Sequence, residues 1–226
     1  MCTVTYLPLP NNNFILTSSR DVPYARKKAS IPQVFTEDAI ELNYPKDGEA
    51  GGTWIGTSSK NRLICLLNGG FYYHTSLSHY KKSRGLIVKE LLKVDEIRIG
   101  IKEIDLTGVE QFTLTIVDWN EGLELLEFVW DGAKKHLKKM KQEPQIWSSS
   151  TLYDSSVKKM RRNWFTDWQN DNKFTQENIL KFHHTAGIGD SAIDVMMDRK
   201  AGGTVSITSV KKKNTTVSMD YENINR

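Results

Sequence analysis

Cysteine is scarce in this chain: 226 residues contain two, Cys2 and Cys65. Two cysteines cannot build a disulfide framework, so a reducing, cytoplasmic setting is expected. No apolar run approaches the ~20 residues that span a bilayer, so no membrane span is expected. No basic segment followed by an apolar core opens the sequence, and no secretory signal is expected. Internal repeats and low-complexity linkers are absent. No histidine or cysteine spacing suits a metal. The adjacent His183 and His184 project to different sides of a helix, one packed and one exposed, and chelate poorly. The Gly187-Ile-Gly189 turn lacks the preceding strand that a dinucleotide fingerprint needs.

Charge is nearly balanced, with a net charge of +4. The lysines and arginines at 134–141, 158–162 and 211–213 read as solvated faces. Nucleic-acid binding would need stacking aromatics or a groove-reading element beside the charge, and the aromatics near 158–168 read as core, so no nucleic-acid partner is expected. Hydrophobic content of 38% and charged content of 26% fit a globular protein. One domain over 1–226 is expected. No pattern speaks to oligomeric state.

Strand patterns dominate both ends. Residues 2–7 and 13–18, separated by Pro8-Leu-Pro-Asn-Asn12, read as a hairpin. After a polar loop, 53–58 and 62–68 form a second pair. Leu63, Cys65 and Leu67 share one face of the latter strand and Ile64 and Leu66 the other, so it is buried on both. Ser83 caps a helix over 84–93. Strands are expected at 112–118 and 123–130, and a basic helix at 132–140. Asp154 caps a helix over 155–169, whose Val157, Met160, Trp164, Phe165 and Trp168 fall at helical spacing. Such a stripe reads as core. Another helix covers 176–184, and a hairpin over 204–210 and 216–221 ends the chain. Strands, then helices, then strands give an α+β layered domain.

The chemistry centres on Cys2. Removal of Met1 exposes a cysteine carrying both a thiol and an α-amino group. Their unperturbed pKa values lie near ~8.5 and ~8, so the amine can act as base for its own thiol. A small residue that is simply buried is the plainer account of Cys2 taken alone. The stretches that follow are Asn13-Phe-Ile-Leu-Thr-Ser-Ser-Arg-Asp21, Gly51-Gly-Thr-Trp-Ile-Gly56, Arg62-Leu-Ile-Cys-Leu-Leu-Asn68 and Ser83-Arg-Gly85. Their order and spacing resemble the Asn-Arg-Asp-Glu (NRDE) family, also called the transport and Golgi organisation protein 2 family. That family is similar to the N-terminal-nucleophile hydrolases, whose cysteine branch includes penicillin V acylase and bile salt hydrolase. The resemblance implies a four-layer αββα sandwich of two mainly antiparallel sheets.

It also implies a site. Cys2 is the nucleophile, Arg20 favours its thiolate, and Asp21 accepts from its amine. A surface Arg-Asp pair ending a strand is the plainer account of those two. Asn68 corresponds to an oxyanion donor, although Asn68-Gly-Gly70 also reads as a turn. Trp54 with Gly51 and Gly52 walls a pocket, and Arg84 and His74 are candidate substrate contacts. The family's Asn-Arg-Asp-Glu stands here as Ser19-Arg20-Asp21-Val22. Its second oxyanion asparagine falls in Ser148-Ser149-Ser150, where Ser150 offers a hydroxyl of shorter reach.

The function so implied is cysteine hydrolysis of a linear C–N amide bond in a small molecule, with no cofactor. The alternative is a non-catalytic protein on the same fold that binds haem or an acyl lipid for trafficking. The intact mass separates these at the first step: a chain lacking Met1 carries the amine base, and a chain retaining it does not.

Overall fold

The computed structural model describes residues 3–225. Cys2 lies outside the described residues. In chain order the elements are β1 (Thr3–Leu9), β2 (Asn13–Pro23), β3 (Gln33–Glu37), β4 (Ile40–Tyr44), β5 (Ile55–Ser58), β6 (Arg62–Asn68), α1 (Arg84–Lys93), α2 (Ile97–Glu103), β7 (Phe112–Asp118), β8 (Glu124–Trp130), β9 (Lys135–Met140), β10 (Gln145–Ser148), α3 (Ser155–Asp171), α4 (Gln176–Thr185), β11 (Asp198–Arg199), β12 (Gly202–Lys213) and β13 (Thr216–Asn223). The chain is α+β and divides into two compact units. Residues up to 26 and from 143 onward form one, and Lys27–Gln142 form the other.

The first unit is an antiparallel sheet in the order β10-β1-β2-β12-β11, with β13 also on β12. The turn between β1 and β2 uses Asn11 and Asn12 at positive φ, which asparagine tolerates better than most residues. Alternation along a strand sends successive side chains to opposite faces. Leu7 and Ile15 lie on one face and pack against Phe165, Ile179, Phe182 and Val195. That face carries α3 and α4. The aromatic stripe of α3 is core, as its spacing implies: Phe165 is buried, and Trp164 and Trp168 are partly so. Asp154 and Thr175 cap the two helices by accepting from Val157 N and Asn178 N.

The second unit is an antiparallel sheet in the order β3-β4-β5-β6-β7-β8-β9. Ser83 caps α1 by accepting from Gly85 N, and Ile87, Val88, Leu91 and Leu92 are buried. Every residue of β6 from Arg62 to Leu67 is buried, Cys65 fully. Arg62 is fully buried as well. Its Nε donates to Asp118 Oδ2 at 2.7 Å, and its Nη atoms donate to the carbonyls of Leu91, Val94 and Asp95. A buried guanidinium is tolerable when paired and saturated in this way. Here it also caps the C-terminal carbonyls of α1.

Two sequence expectations are corrected. The basic stretch 132–140 is not a helix. Asp131 Oδ1 accepts from Ala133 N and Lys134 N, Gly132 takes φ 94°, and the chain turns straight back as β9. Leu137 then pairs with Phe128, Lys138 and Lys139 are exposed, and Lys135 Nζ donates to the carbonyls of Lys102 and Ile104. Lysines lie on both faces of this strand, with Lys135 and Lys139 beside Leu137 and Lys138 beside Met140, so no apolar alternation marks it. The polar loop before Gly51 contains the β3–β4 hairpin, turned at Asp38 and Ala39, both at positive φ. Its strands carry few apolar residues because most of their side chains remain at least partly accessible.

The motif glycines have a packing role. Thr53 N donates to Gly85 O at 3.2 Å, and a Cβ on Gly52 would stand 2.5 Å from the Gly85 carbonyl carbon. The Gly51–Trp54 loop therefore rests backbone to backbone on the start of α1. Gly52→Ala is expected to destabilise the protein by at least about 1–3 kcal/mol through this overlap, read as a lowered urea midpoint with an unchanged slope.

Candidate active site

The first unit brings several predicted residues to one end of its sheet. Thr3, which follows Cys2 in sequence, pairs with Ser19 on β2 and with Ser148 on β10. Arg20–Asp21 and Ser149–Ser150 therefore continue past the end of β1 on either side. Arg20 and Asp21 are 4% and 3% exposed, so they are not a surface pair. As neighbours on a strand they face opposite ways. Asp21 shares the helix-bearing face with Ser19. Its Oδ1 accepts from Thr204 Oγ1 at 2.6 Å and its Oδ2 from Tyr153 Oη at 3.3 Å. Arg20 lies on the other face, opposite Ser206 of β12. The two are separate devices built on consecutive residues.

The helix face of the same strands is held by groups that sequence reasoning missed. Arg161 on α3 is fully buried. It donates to Thr3 Oγ1 at 2.5 Å and to the carbonyls of Ile193 and Asp194. Its guanidinium carbon stands 3.7 Å from the centre of the Tyr153 ring, a cation–π contact. Arg62 has a carboxylate. Among the described residues Arg161 has neutral acceptors and an aromatic face. His183 on α4 is also fully buried and shares hydrogen bonds with Thr5 Oγ1 at 2.9 Å and Ser19 Oγ at 2.7 Å. Burial, with Arg161 and His184 nearby, pushes its pKa down to about 3. Neutral imidazole offers one donor and one acceptor, which suits two hydroxyls on adjacent strands.

Ser150 is buried at the α3 side of this end. Lys158 Nζ donates to Ser150 Oγ at 2.7 Å. Burial, with a further contribution from Arg162, lowers the Lys158 pKa.

The second unit collects the remaining predicted residues around one segment. Asn68 ends β6 opposite Phe112 and is half-buried. Arg84 pairs with Glu110 Oε2 at 3.0 Å and donates to Gln111 O. His74 Nε2 meets Glu110 Oε1 at 3.2 Å. Gly69 N also donates to Gln111 O, so Asn68, His74 and Arg84 share the 110–112 neighbourhood. Trp54 is buried, and its carbonyl accepts from Leu66 N at 2.8 Å. Open cavities of about 430 and 420 Å³ occur at Lys211–Ser218 and around Arg62, Asp95 and Glu124, and none of the predicted site residues lines either. No group of three or more His, Cys, Asp or Glu side chains suited to a metal occurs among the described residues.

A family model, Transport and Golgi organisation 2, matches residues 1–215. The chain belongs to that family. No curated protein matches it in sequence. Among solved structures it is similar to the Caenorhabditis elegans ortholog of N-acylethanolamine-hydrolyzing acid amidase. The TM-score is 0.64 at 11% identity, over 92% of each chain. It is similar to a variant of conjugated bile acid hydrolase from Clostridium perfringens, with TM-score 0.53 and 10% identity over 98% of this chain and 92% of that one. Penicillin V acylase from Agrobacterium tumefaciens gives TM-score 0.50 and 10% identity over 99% and 86%. These likenesses show the fold, that of the N-terminal-nucleophile hydrolases. They agree with the two antiparallel sheets and their helices.

Within this member of the Transport and Golgi organisation 2 family, the missed residues left a faint trace in sequence. Arg161 falls four residues after Val157 and four before Phe165, inside the apolar stripe of α3. A charge on an apolar stripe is the informative exception to burial rules. His183 follows Phe182 on the packed side of α4.

His183 makes a pH test available. Its folded pKa lies below the unfolded value near ~6.5. Its contribution is therefore complete above pH 6.5 and is lost as pH falls toward about 3, because only the unfolded chain takes up the proton. Urea unfolding at pH 7, 5 and 4 should show the natural chain losing stability more steeply than His183→Gln over that window.

Proposed function

We propose that the chain is an N-terminal-nucleophile cysteine hydrolase that cleaves a linear C–N amide bond in a small molecule. Cys2 is the nucleophile after Met1 removal, the whole chain acts as one domain, and the cytoplasm keeps the thiol reduced. The observation that carries the reading is the pairing of Thr3 between Ser19 and Ser148. With that register, Arg20–Asp21 and Ser149–Ser150 flank the start of β1, which supports a site there. Structural likeness to an amidase, an acylase and a bile acid hydrolase supports amide chemistry.

The reaction runs in two halves. The Cys2 amine takes the thiol proton, and Sγ attacks the carbonyl carbon. The C=O electron pair moves to oxygen, where Ser150 donates to it. Collapse expels the amine, which leaves with the proton held on the Cys2 nitrogen. Water then attacks the thioester, releasing the carboxylic acid and restoring the thiol. Arg20 favours the thiolate. Asp21, fixed by Thr204 and Tyr153, orients the amine.

A binding reading has one observation in its favour. Phe71, Tyr72, Tyr73 and Leu77 are exposed on the loop after Asn68, and they suit a hydrophobic acyl ligand. They suit haem less well. His74 is engaged through Nε2 with Glu110 and its Nδ1 is buried, so it presents no open axial nitrogen.

Alkylation with iodoacetamide at pH 7, read by peptide mass, should label Cys2 and spare Cys65. Arg20→Ala should slow it by up to about tenfold, the effect of one pKa unit on the thiolate fraction. Hydrolysis of an acyl-amide panel should vanish in Cys2→Ala. Labelling of Cys65 ahead of Cys2 would remove the basis of the site. Tight acyl binding without turnover would favour the binding reading.

A further inference from the structure

The serine at position 150 is a weak oxyanion donor by itself. Its hydroxyl is short and neutral, and the family pattern puts an asparagine in this stretch. The structure places a cation directly behind it. Lys158 lies in the first turn of α3, and its Nζ is 2.7 Å from Ser150 Oγ. An ammonium group has donors and no acceptor. In this bond the serine oxygen must therefore accept, and its own proton is turned away from Lys158. Among the described residues no carboxylate pairs with Lys158, so its charge is not cancelled locally. Arg161, one turn further along the same helix face, adds a second cation with neutral acceptors. Ser150 itself is 8% exposed, in surroundings that strengthen electrostatic effects.

We propose that Lys158 is a positioning residue that polarises and aims the Ser150 hydroxyl, making it a charge-assisted donor to the oxyanion formed at Cys2. Lys158 does not touch the substrate. It holds Ser150 in one rotamer with the proton directed outward and stabilises the negative charge that develops beyond it. A hydrogen bond assisted by charge is roughly twice as strong as a neutral one. The pair thereby takes the place of an amide. This inference rests on the hydrolase reading given above. The depressed Lys158 pKa agrees with burial of the ammonium and with repulsion from Arg162.

Two reagents separate this role from a structural one. p-Nitrophenyl acetate acylates a thiolate through a tetrahedral oxyanion and expels p-nitrophenolate. Iodoacetamide alkylates the same thiolate by displacing iodide, with no oxyanion. Lys158→Met should slow Cys2 acylation by at least about tenfold, a fraction of the loss of a whole donor, and leave alkylation unchanged. Lys158→Arg should recover part of the rate. In a Ser150→Asn background, where the amide donates unaided, Lys158→Met should cost less than about twofold. Melting temperatures establish that each variant is folded. An equal fall with both reagents would mean that Lys158 acts on the thiolate or the fold, and would overturn the proposal. So would no change with either. If Cys2 of the natural chain reacts with neither reagent, the hydrolase reading itself falls, and this inference with it.

Discussion

Everything proposed for this site depends on β1 being held between two strands in a fixed register. Thr3 pairs with Ser19 on one side and Ser148 on the other. Slipping either pairing by one residue would send every side chain of β1 to the wrong face. Leu7 would leave the helix-covered core, and Thr3 would leave Arg161. The apolar contacts of Leu7 and Ile15 with Phe165 and Phe182 oppose such a slip at the far end of the strand. At the site end, where the side chains are polar, hydrogen bonds do that work: Arg161 to Thr3, and His183 to Thr5 and Ser19.

The two fully buried arginines show how differently one side chain can be used. Arg62 is paired with Asp118 and satisfies three carbonyls at the end of α1, so its charge is neutralised and its role is to join helix to sheet. Arg161 satisfies carbonyls too, but it rests on the Tyr153 ring and a hydroxyl rather than a carboxylate. With Lys158 it makes the inner side of α3 electropositive beside the start of β1. A thiolate chemistry gains from such a field, whereas a general hydrophobic core does not.

Much of this was legible in the chain, and the reasons it was are local. Helix caps at Ser83, Asp154 and Thr175 need only one side chain and one nearby N–H, and all three are used as their positions suggest. The doubly apolar run of β6 and the aromatic stripe of α3 follow from periodicity alone. β9 was misread because lysines lie on both of its faces and leave no apolar alternation, and β3 and β4 because their side chains remain largely accessible. Arg161 and His183 were passed over for a different reason. Arg161 was read within a solvated basic run, which its full burial corrects, and of the His183–His184 pair only the partners reveal which is packed and what it holds.

The sequence by itself determined the α+β class, the family, the β1–β2 hairpin and the identity of the candidate nucleophile. Each depends on residue type and short-range spacing. Tertiary structure decided that Arg20 and Asp21 face opposite ways with different partners, and that Arg84 and His74 are tied to Glu110. It also decided that Lys158 reaches Ser150. These outcomes depend on which strands pair and which helix face lies against them. Hydrogen bonds such as Ser19 to His183, 164 residues apart in sequence, exist only once the chain has closed on itself.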